Sequence, residues 1–220
     1  HNTSFESKSI RISSPLNGIS RNTVQGYNSN LKINYTKRYD EFKNYLSLSG
    51  TINYSFDTQR TIGNMSVTYK FNNTDKLTVG LTTGISLNQF NSQKPISELV
   101  NSISTLYFEE NYMKLYESRF IKTYYSQELL NGFSINSSIS YEDRRALYNL
   151  NKYSADQNEG SNFTSNNPLE PLNYNTAPFE NHTIVKFKIN GIIRFGQKYL
   201  SYPGSKINIP NTKYPKFGFS

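Results

Sequence analysis

Alternation of apolar and polar residues over long runs constrains this chain more than any other feature. From Tyr27 to Tyr39 the odd positions include Leu31, Ile33 and Tyr35, while the even ones are Asn28, Asn30, Lys32, Asn34, Thr36 and Arg38. From Leu46 to Phe56 the even positions are Leu46, Leu48, Gly50, Ile52, Tyr54 and Phe56, and the odd ones are all Ser, Thr or Asn. The pattern recurs at Met65–Phe71, Leu77–Leu87, Phe133–Tyr141 and Val185–Phe195. A strand turns successive side chains to opposite faces, so each run has one apolar and one polar face. Several runs reach about ten residues, against a usual strand of about five or six. A tilted strand needs about 9–11 residues to cross a bilayer.

The polar face narrows the choice further. It is built of small neutral Asn, Ser, Thr and Gly with occasional Lys or Arg, which suits a wetted barrel lumen. The solvent face of a soluble sheet usually carries more Lys and Glu. Apolar residues make up only 35% of the chain, yet aromatics reach 15%, an unusual filling for a soluble core and too aromatic for disorder. Tyr27, Tyr39, Tyr54, Tyr69 and Tyr141, near run ends, fit an aromatic girdle. No run approaches the ~18 consecutive apolar residues of a spanning helix. There is no Cys, hence no disulfide or thiol chemistry. The net charge of +8 suits anionic lipid or lipopolysaccharide, while the scatter of the basic residues gives no nucleic-acid patch. The chain opens at His1 without a signal peptide, as a mature protein or an excised fragment would.

The connections alternate in length. Short ones fall at 40–44, 57–60 and 72–76, and Asn131-Gly132 is a type I′ hairpin signal. Long ones fall at 88–117 and 146–181, as in barrels with short periplasmic turns and long outer loops. The segment 197–215 is long where a short turn is expected. Within 88–117, Pro95 opens a helix with Ile96, Leu99, Val100, Ile103 and Leu106 on one face, its start set by Ser97 or the Lys94-Pro95 step. That face is expected to pack on a barrel rim or enter the lumen, because a lipid-surface helix would carry more Lys and Arg.

Catalytic constellations are nearly absent. His1 and His182 are the two histidines, and His182, before a strand, has no second His for a metal site. Glu109-Glu110 and Glu142-Asp143 are sequence neighbours, which face opposite ways on a strand and so cannot share one site. Glu142-Asp143-Arg144-Arg145 reads as rim ion pairs. There is no phosphate-binding loop and no nucleophile elbow. The expected protein is therefore not an enzyme and has no catalytic, cofactor or metal residues.

Several segments look like one family: Pro95-Ile96-Ser97 with Leu99-Val100-Asn101, Glu110 to Glu117, Tyr125 to Leu129 before Asn131-Gly132, Tyr141 to Leu147, Ser165 to Leu169, Ala177 to His182 and Phe195 to Tyr199. Together they resemble an uncharacterised Bacteroidetes-type outer-membrane β-barrel family, whose members carry an N-terminal carboxypeptidase-regulatory-like domain. That domain has no counterpart here. The resemblance implies an internal piece of a longer barrel and no peptidase activity.

The expected fold is all-β: an antiparallel transmembrane barrel of outer-membrane type, with residues 1–220 an incomplete segment of about seven or eight long strands and one short helix in a loop. Leu48, Ile52, Val79, Leu81, Ile135 and Phe187 are expected to face lipid. The expected function is structural, assembly or transport, in the bacterial outer membrane. Partners are outer-membrane lipid and lipopolysaccharide, with other envelope proteins a further option and no nucleic acid. Two alternatives remain: a segment of a TonB-dependent transporter barrel, or a soluble extracellular carbohydrate-binding sandwich.

Overall fold

The computed structural model describes residues 7–39, 44–108, 110–149, 163–210 and 213–220. The elements in chain order are β1 (Ser7–Ile12), a 3-10 turn (Pro15–Gly18), β2 (Ile19–Asn22), β3 (Gly26–Tyr39), β4 (Asn44–Ser55), β5 (Arg60–Lys70), β6 (Thr78–Gln89), α1 (Glu98–Tyr107), β7 (Leu115–Leu130), β8 (Phe133–Ala146), β9 (His182–Arg194), β10 (Tyr199–Tyr202), β11 (Ser205–Asn208) and β12 (Lys216–Phe219). One antiparallel sheet runs in the order β1-β3-β4-β5-β6-β7-β8-β9-β12, with β2 also on β3, and β10 and β11 form a separate hairpin. The architecture is an all-β antiparallel sheet with one short helix. β1 and β2 lie end to end along the same edge of β3, so the first strand of the meander is a broken one. β1 and β12 do not pair with each other, so among the described residues the sheet is open, not a closed barrel.

Seven consecutive strands, β3 to β9, span 11 to 16 residues each. Their registers carry the alternation from strand to strand without a change of face. One row of paired residues runs Ile10, Tyr35, Leu48, Val67, Leu81, Thr123, Ile139, Phe187. The next row, on the opposite face, runs Ser9, Thr36, Ser47, Thr68, Gly80, Tyr124, Ser138, Lys188. The apolar row is exposed: Leu48 is 38% accessible, Leu81 40%, Ile139 51% and Phe187 68%. No element of the described chain covers it. The small apolar core lies elsewhere, where Val24, Met113 and Leu115 pack with Leu87 and Leu147.

One strand departs from the alternation, and two local expectations need correction. β7 does not follow the alternation, because Phe120 and Tyr124 fall on its polar side and Arg119 and Thr123 on its apolar side. Its strand character comes instead from pairing with β6 and β8 along almost its whole length. The Asn131-Gly132 turn is not type I′, which demands positive φ at both residues; only Gly132, at φ 84°, has it. The register shifts between Glu128 and Leu130, so the tight turn is relieved by a bulge in β7. The helix also faces the other way. Leu99, Val100 and Ile103 are exposed, while Asn101, Ser104 and Thr105 are buried. The reason lies in what the helix meets, described below.

Gly80 is fixed by a neighbouring ring. It pairs directly with Tyr124, whose ring lies so close that a Cβ on residue 80 would come within 1.9 Å of it. The Tyr124 hydroxyl reaches across Gly80 to Thr68 Oγ1 at 3.1 Å. Phe219 covers Gly191, its direct partner, in the same way. An aromatic ring laid over a strand glycine replaces the packing surface that the glycine lacks. Gly80→Ala is therefore expected to cost about 1–3 kcal/mol by overpacking, and much less once Tyr124 is replaced by Ala. A double-mutant cycle in urea measures the coupling, and equal costs in both backgrounds would refute it.

Candidate functional site

The polar face holds a connected surface of small polar groups. Asn53 Nδ2 donates to Asn28 Oδ1 at 3.1 Å and to Asn30 Oδ1 at 3.0 Å. The Ser66 and Thr82 hydroxyls are 3.0 Å apart, and Ser126 Oγ donates to Asn136 Oδ1 at 2.6 Å. These bonds cross between neighbouring strands and hold the side chains flat against the sheet. Pairing of β5 with β6 stops at Asn64 and Gly84. The two strands part there, and a cleft of about 510 Å³ opens beside Asn28, Lys32, Asn53, Asn64, Gln89 and Glu98.

One end of the sheet is closed over by the described parts of the two long connections, 90–108 with 110–114 and 147–149 with 163–181. The first carries α1 across to β2. There the backbone N–H of Arg21 donates to Ser102 Oγ at 2.8 Å, and its carbonyl accepts from Ser102 Oγ at 3.3 Å and Asn101 Nδ2 at 3.4 Å. A strand edge offers unpaired N–H and C=O groups, so the helix face that meets it must be polar. This explains why Asn101, Ser104 and Thr105 are buried and the apolar stripe is turned outward.

The same Asn101 accepts from Met113 N at 2.9 Å, which joins the helix to the approach of β7. Asn166 then ties that approach to the second connection. Its Oδ1 accepts from Leu115 N at 2.8 Å, and its Nδ2 donates to Leu115 O and Leu147 O at 2.7 Å each. Asn149 Nδ2 donates to Thr164 O at 3.0 Å and its Oδ1 accepts from Thr23 Oγ1 at 2.7 Å. Polar side chains are thus buried here because each finds a backbone partner. The long 146–181 loop lies partly outside the described residues, as does Glu109.

Charged groups gather near this end of β5, β7, β8 and β9. Glu117, almost fully buried, meets Arg60 at 2.7 Å and Arg119 at 3.0 Å. Glu142 holds Arg144 at 2.9 Å and Lys186 at 2.7 Å, and Asp143 holds Arg145 at 3.0 Å. Glu142 and Asp143 face opposite sides of the sheet and take separate partners, as the sequence reading of ion pairs requires. At the other end the β10–β11 hairpin folds back on the turns. Glu128 there meets Lys76 at 2.9 Å and accepts from Gly132 N at 3.0 Å, while also holding the Tyr199 hydroxyl. Burial, with the Glu128 carboxylate beside it, pushes the Tyr199 phenol up to about 12. Within the unexpectedly long 197–215 segment, the β10–β11 hairpin is thus a folded cover over these turns.

The six residues expected to face lipid, Leu48, Ile52, Val79, Leu81, Ile135 and Phe187, all fall on the one apolar face by register. Sequence reasoning missed the buried Asn101–Asn166 assembly. A single Asn in a loop carries no sign of whether it will be buried. His182 Nδ1 sits 2.8 Å from the Glu180 carbonyl, against the Phe179 ring. Among the described residues no cluster of His, Asp and Glu could hold a metal ion.

Lys114 is half-buried between the connections. Its Nζ donates to Thr164 Oγ1 at 2.8 Å and Ser165 O at 2.6 Å. Burial lowers its pKa from 10.5 to about 8, against a smaller opposing pull from Glu110. Between those values the unfolded chain binds more protons than the folded one, so the folded arrangement around Lys114 gains stability as pH rises through that window, because the buried ammonium is discharged. Hydrogen-exchange protection of the Leu115 and Asn167 amides should climb from pH 8 to about 10, relative to mid-sheet amides. In Lys114→Met the climb should vanish; an unchanged climb would assign it to another group.

No curated protein and no solved structure matches the chain. Residues 1–220 match the C-terminal domain of a family of unknown function, DUF5686. The match spans every strand, both connections and the β10–β11 cover, and the chain belongs to this family as its C-terminal domain.

Proposed function

We propose that this domain is a wall segment of an outer-membrane β-barrel, non-catalytic, with a structural, assembly or transport role. The observation that carries the reading is the inverted burial of the sheet. Its apolar side chains stand exposed along a continuous face, and most of its buried residues are polar. Leaving a large apolar side chain in water forgoes about 1.5–3 kcal/mol, so a face of this extent needs a cover. A soluble sandwich would supply a second sheet; among the described residues there is none on this face. Lipid is the cover this reading supplies.

Dimensions agree. On β8 the apolar side from Phe133 to Tyr141 is about 27 Å along the strand, which at a tilt of about 35–45° spans about 19–22 Å, most of the ~25 Å belt of such barrels. Beyond it come Asp143 and Arg145 on β8 and Arg119 on β7, where headgroups or water would lie. The free edges at β1 and β12 need further strands, since unpaired ladder groups are untenable in lipid. The full-length protein would supply those strands, with a carboxypeptidase-regulatory-like domain ahead of them. Outer-membrane lipid and lipopolysaccharide are then the partners of the apolar face.

Nitroxide labels placed singly at Leu48, Ile52, Val79, Leu81, Ile135 and Phe187 of the full-length protein in vesicles test this. Each should collide with oxygen in preference to a water-soluble nickel chelate. Preference for the chelate at all six would end the barrel reading.

Orientation follows from loop length. The end with connections 90–114 and 147–181 is placed outside the cell, by the rule that long loops face outward. Protease added to intact cells should cut in the exposed stretch 168–175 and spare Asn131-Gly132. The opposite pattern would invert the topology.

A further inference from the structure

The polar face is strongly one-signed. Lys32, Lys70, Lys122, Lys186 and Lys188 share it by register. The acids on that face among the described strand residues are Glu128 and Glu142, and both are already held by cations. The imbalance is sharpest between β7 and β9. Lys122 on β7 and Lys186 on β9 both lie opposite Ser140 of β8. Lys186 Nζ is committed to both Glu142 oxygens, at 2.7 and 2.8 Å. Lys188, opposite Ser138, is one step along. Lys122 and Lys188 are exposed, and neither side chain meets a carboxylate among the described residues.

Both lysines line a cleft of about 650 Å³ on this face, together with Tyr124, Ser126, Asn136 and Asn190. β7 and β9 are two strands apart, about 10 Å, and the two lysines are offset by two residues, about 7 Å. Ammonium groups on flexible four-carbon stems can close that span onto one ion. Beside them stand the side-chain amides of Asn136 and Asn190, able to donate, while the Ser126 hydroxyl spends its proton on Asn136 Oδ1 and so turns that amide's NH2 to the cleft. Tyr124 is held in place by its bond to Thr68. Two cations without acids, flanked by two amide donors, form a setting for a polyvalent oxyanion and repel cations.

We propose that Lys122 and Lys188 form an oxyanion-binding station on the polar face of the sheet, for solutes bearing phosphate or several carboxylates. The proposal rests on the reading of this face as wetted and adds a substrate class to it. Basic side chains lining a water-filled path favour anions in the same way.

The test uses the full-length protein in detergent, folded as judged by circular dichroism. Lysines are acylated with a water-soluble amine reagent, with and without inorganic phosphate, and modification is read by mass spectrometry. Lys122 and Lys188 should lose labelling in phosphate while Lys94, on the 90–114 connection, keeps it. Lys122→Gln should abolish the protection of Lys188, and Lys188→Gln that of Lys122, because they form one site. Citrate run in parallel separates the sources: stronger protection by citrate assigns polycarboxylates, stronger protection by phosphate assigns phosphorylated solutes, and either supports the station. No protection by either anion overturns it. Equal protection at Lys94 reveals an adventitious ion only and overturns it too, as does protection of one lysine that survives loss of the other. Failure of the nitroxide labels with protection intact would remove the barrel and leave the anion site standing.

Discussion

Register is the constraint on which the rest depends. A strand has only two faces, and antiparallel pairing puts directly opposed residues on the same one. Across β3 to β9 the pairing keeps the apolar rows on one face, interrupted at β7 by Thr123 and Arg119, although the strands are joined by connections of very different length. A slip of one residue in any pair would carry a whole strand's Leu, Ile and Tyr onto the side of its neighbours' Asn, Ser and Lys. The Asn53–Asn28, Ser66–Thr82 and Tyr124–Thr68 bonds reinforce the registry from the polar side. On the other side the apolar rows do so, through contacts between like residues on adjacent strands.

Burial by itself does not identify what stabilises this domain. Val24, Met113 and Leu115 form a core too small to organise so wide a sheet. The buried positions at the loop end are filled by Asn101, Asn111, Ser165, Asn166 and Asn167. Several of these satisfy backbone groups that have left the ladder, so the connections fold by mimicking a strand edge with amide side chains. A buried amide whose donors and acceptor are matched removes the penalty of unpaired main chain. It also fixes geometry more narrowly than an apolar contact would.

Much of this was legible in the sequence. The alternation at Leu46–Phe56 and Leu77–Leu87 gave the strands, their faces and the six apolar positions, because period two survives in the bare residue order. β7 escaped for the same reason: Phe120 beneath its polar side and Arg119 on its apolar side cancel the period, and only its neighbours make it a strand. The helix was found by its apolar spacing, but that spacing misled about its orientation, since it cannot say that the nearest surface is a strand edge asking for hydrogen bonds. Asn166 and Asn101 lie in segments that carry the family resemblance, but their burial was invisible. Their importance arises from contacts 51 and 80 residues away in the chain.

The docking of α1 on β2 bears on how the sheet can grow. At Arg21 both main-chain groups that point away from β3 are occupied by Ser102 and Asn101. Among the described residues, a strand arriving at this margin therefore finds vacant ladder positions along β1, Ser7 to Ile12, and must stop where the helix begins. The helix acts as a doorstop: it sets how far an incoming strand can slide along the seam. In a cylinder, that sliding distance fixes the stagger between first and last strands, and with it tilt and bore.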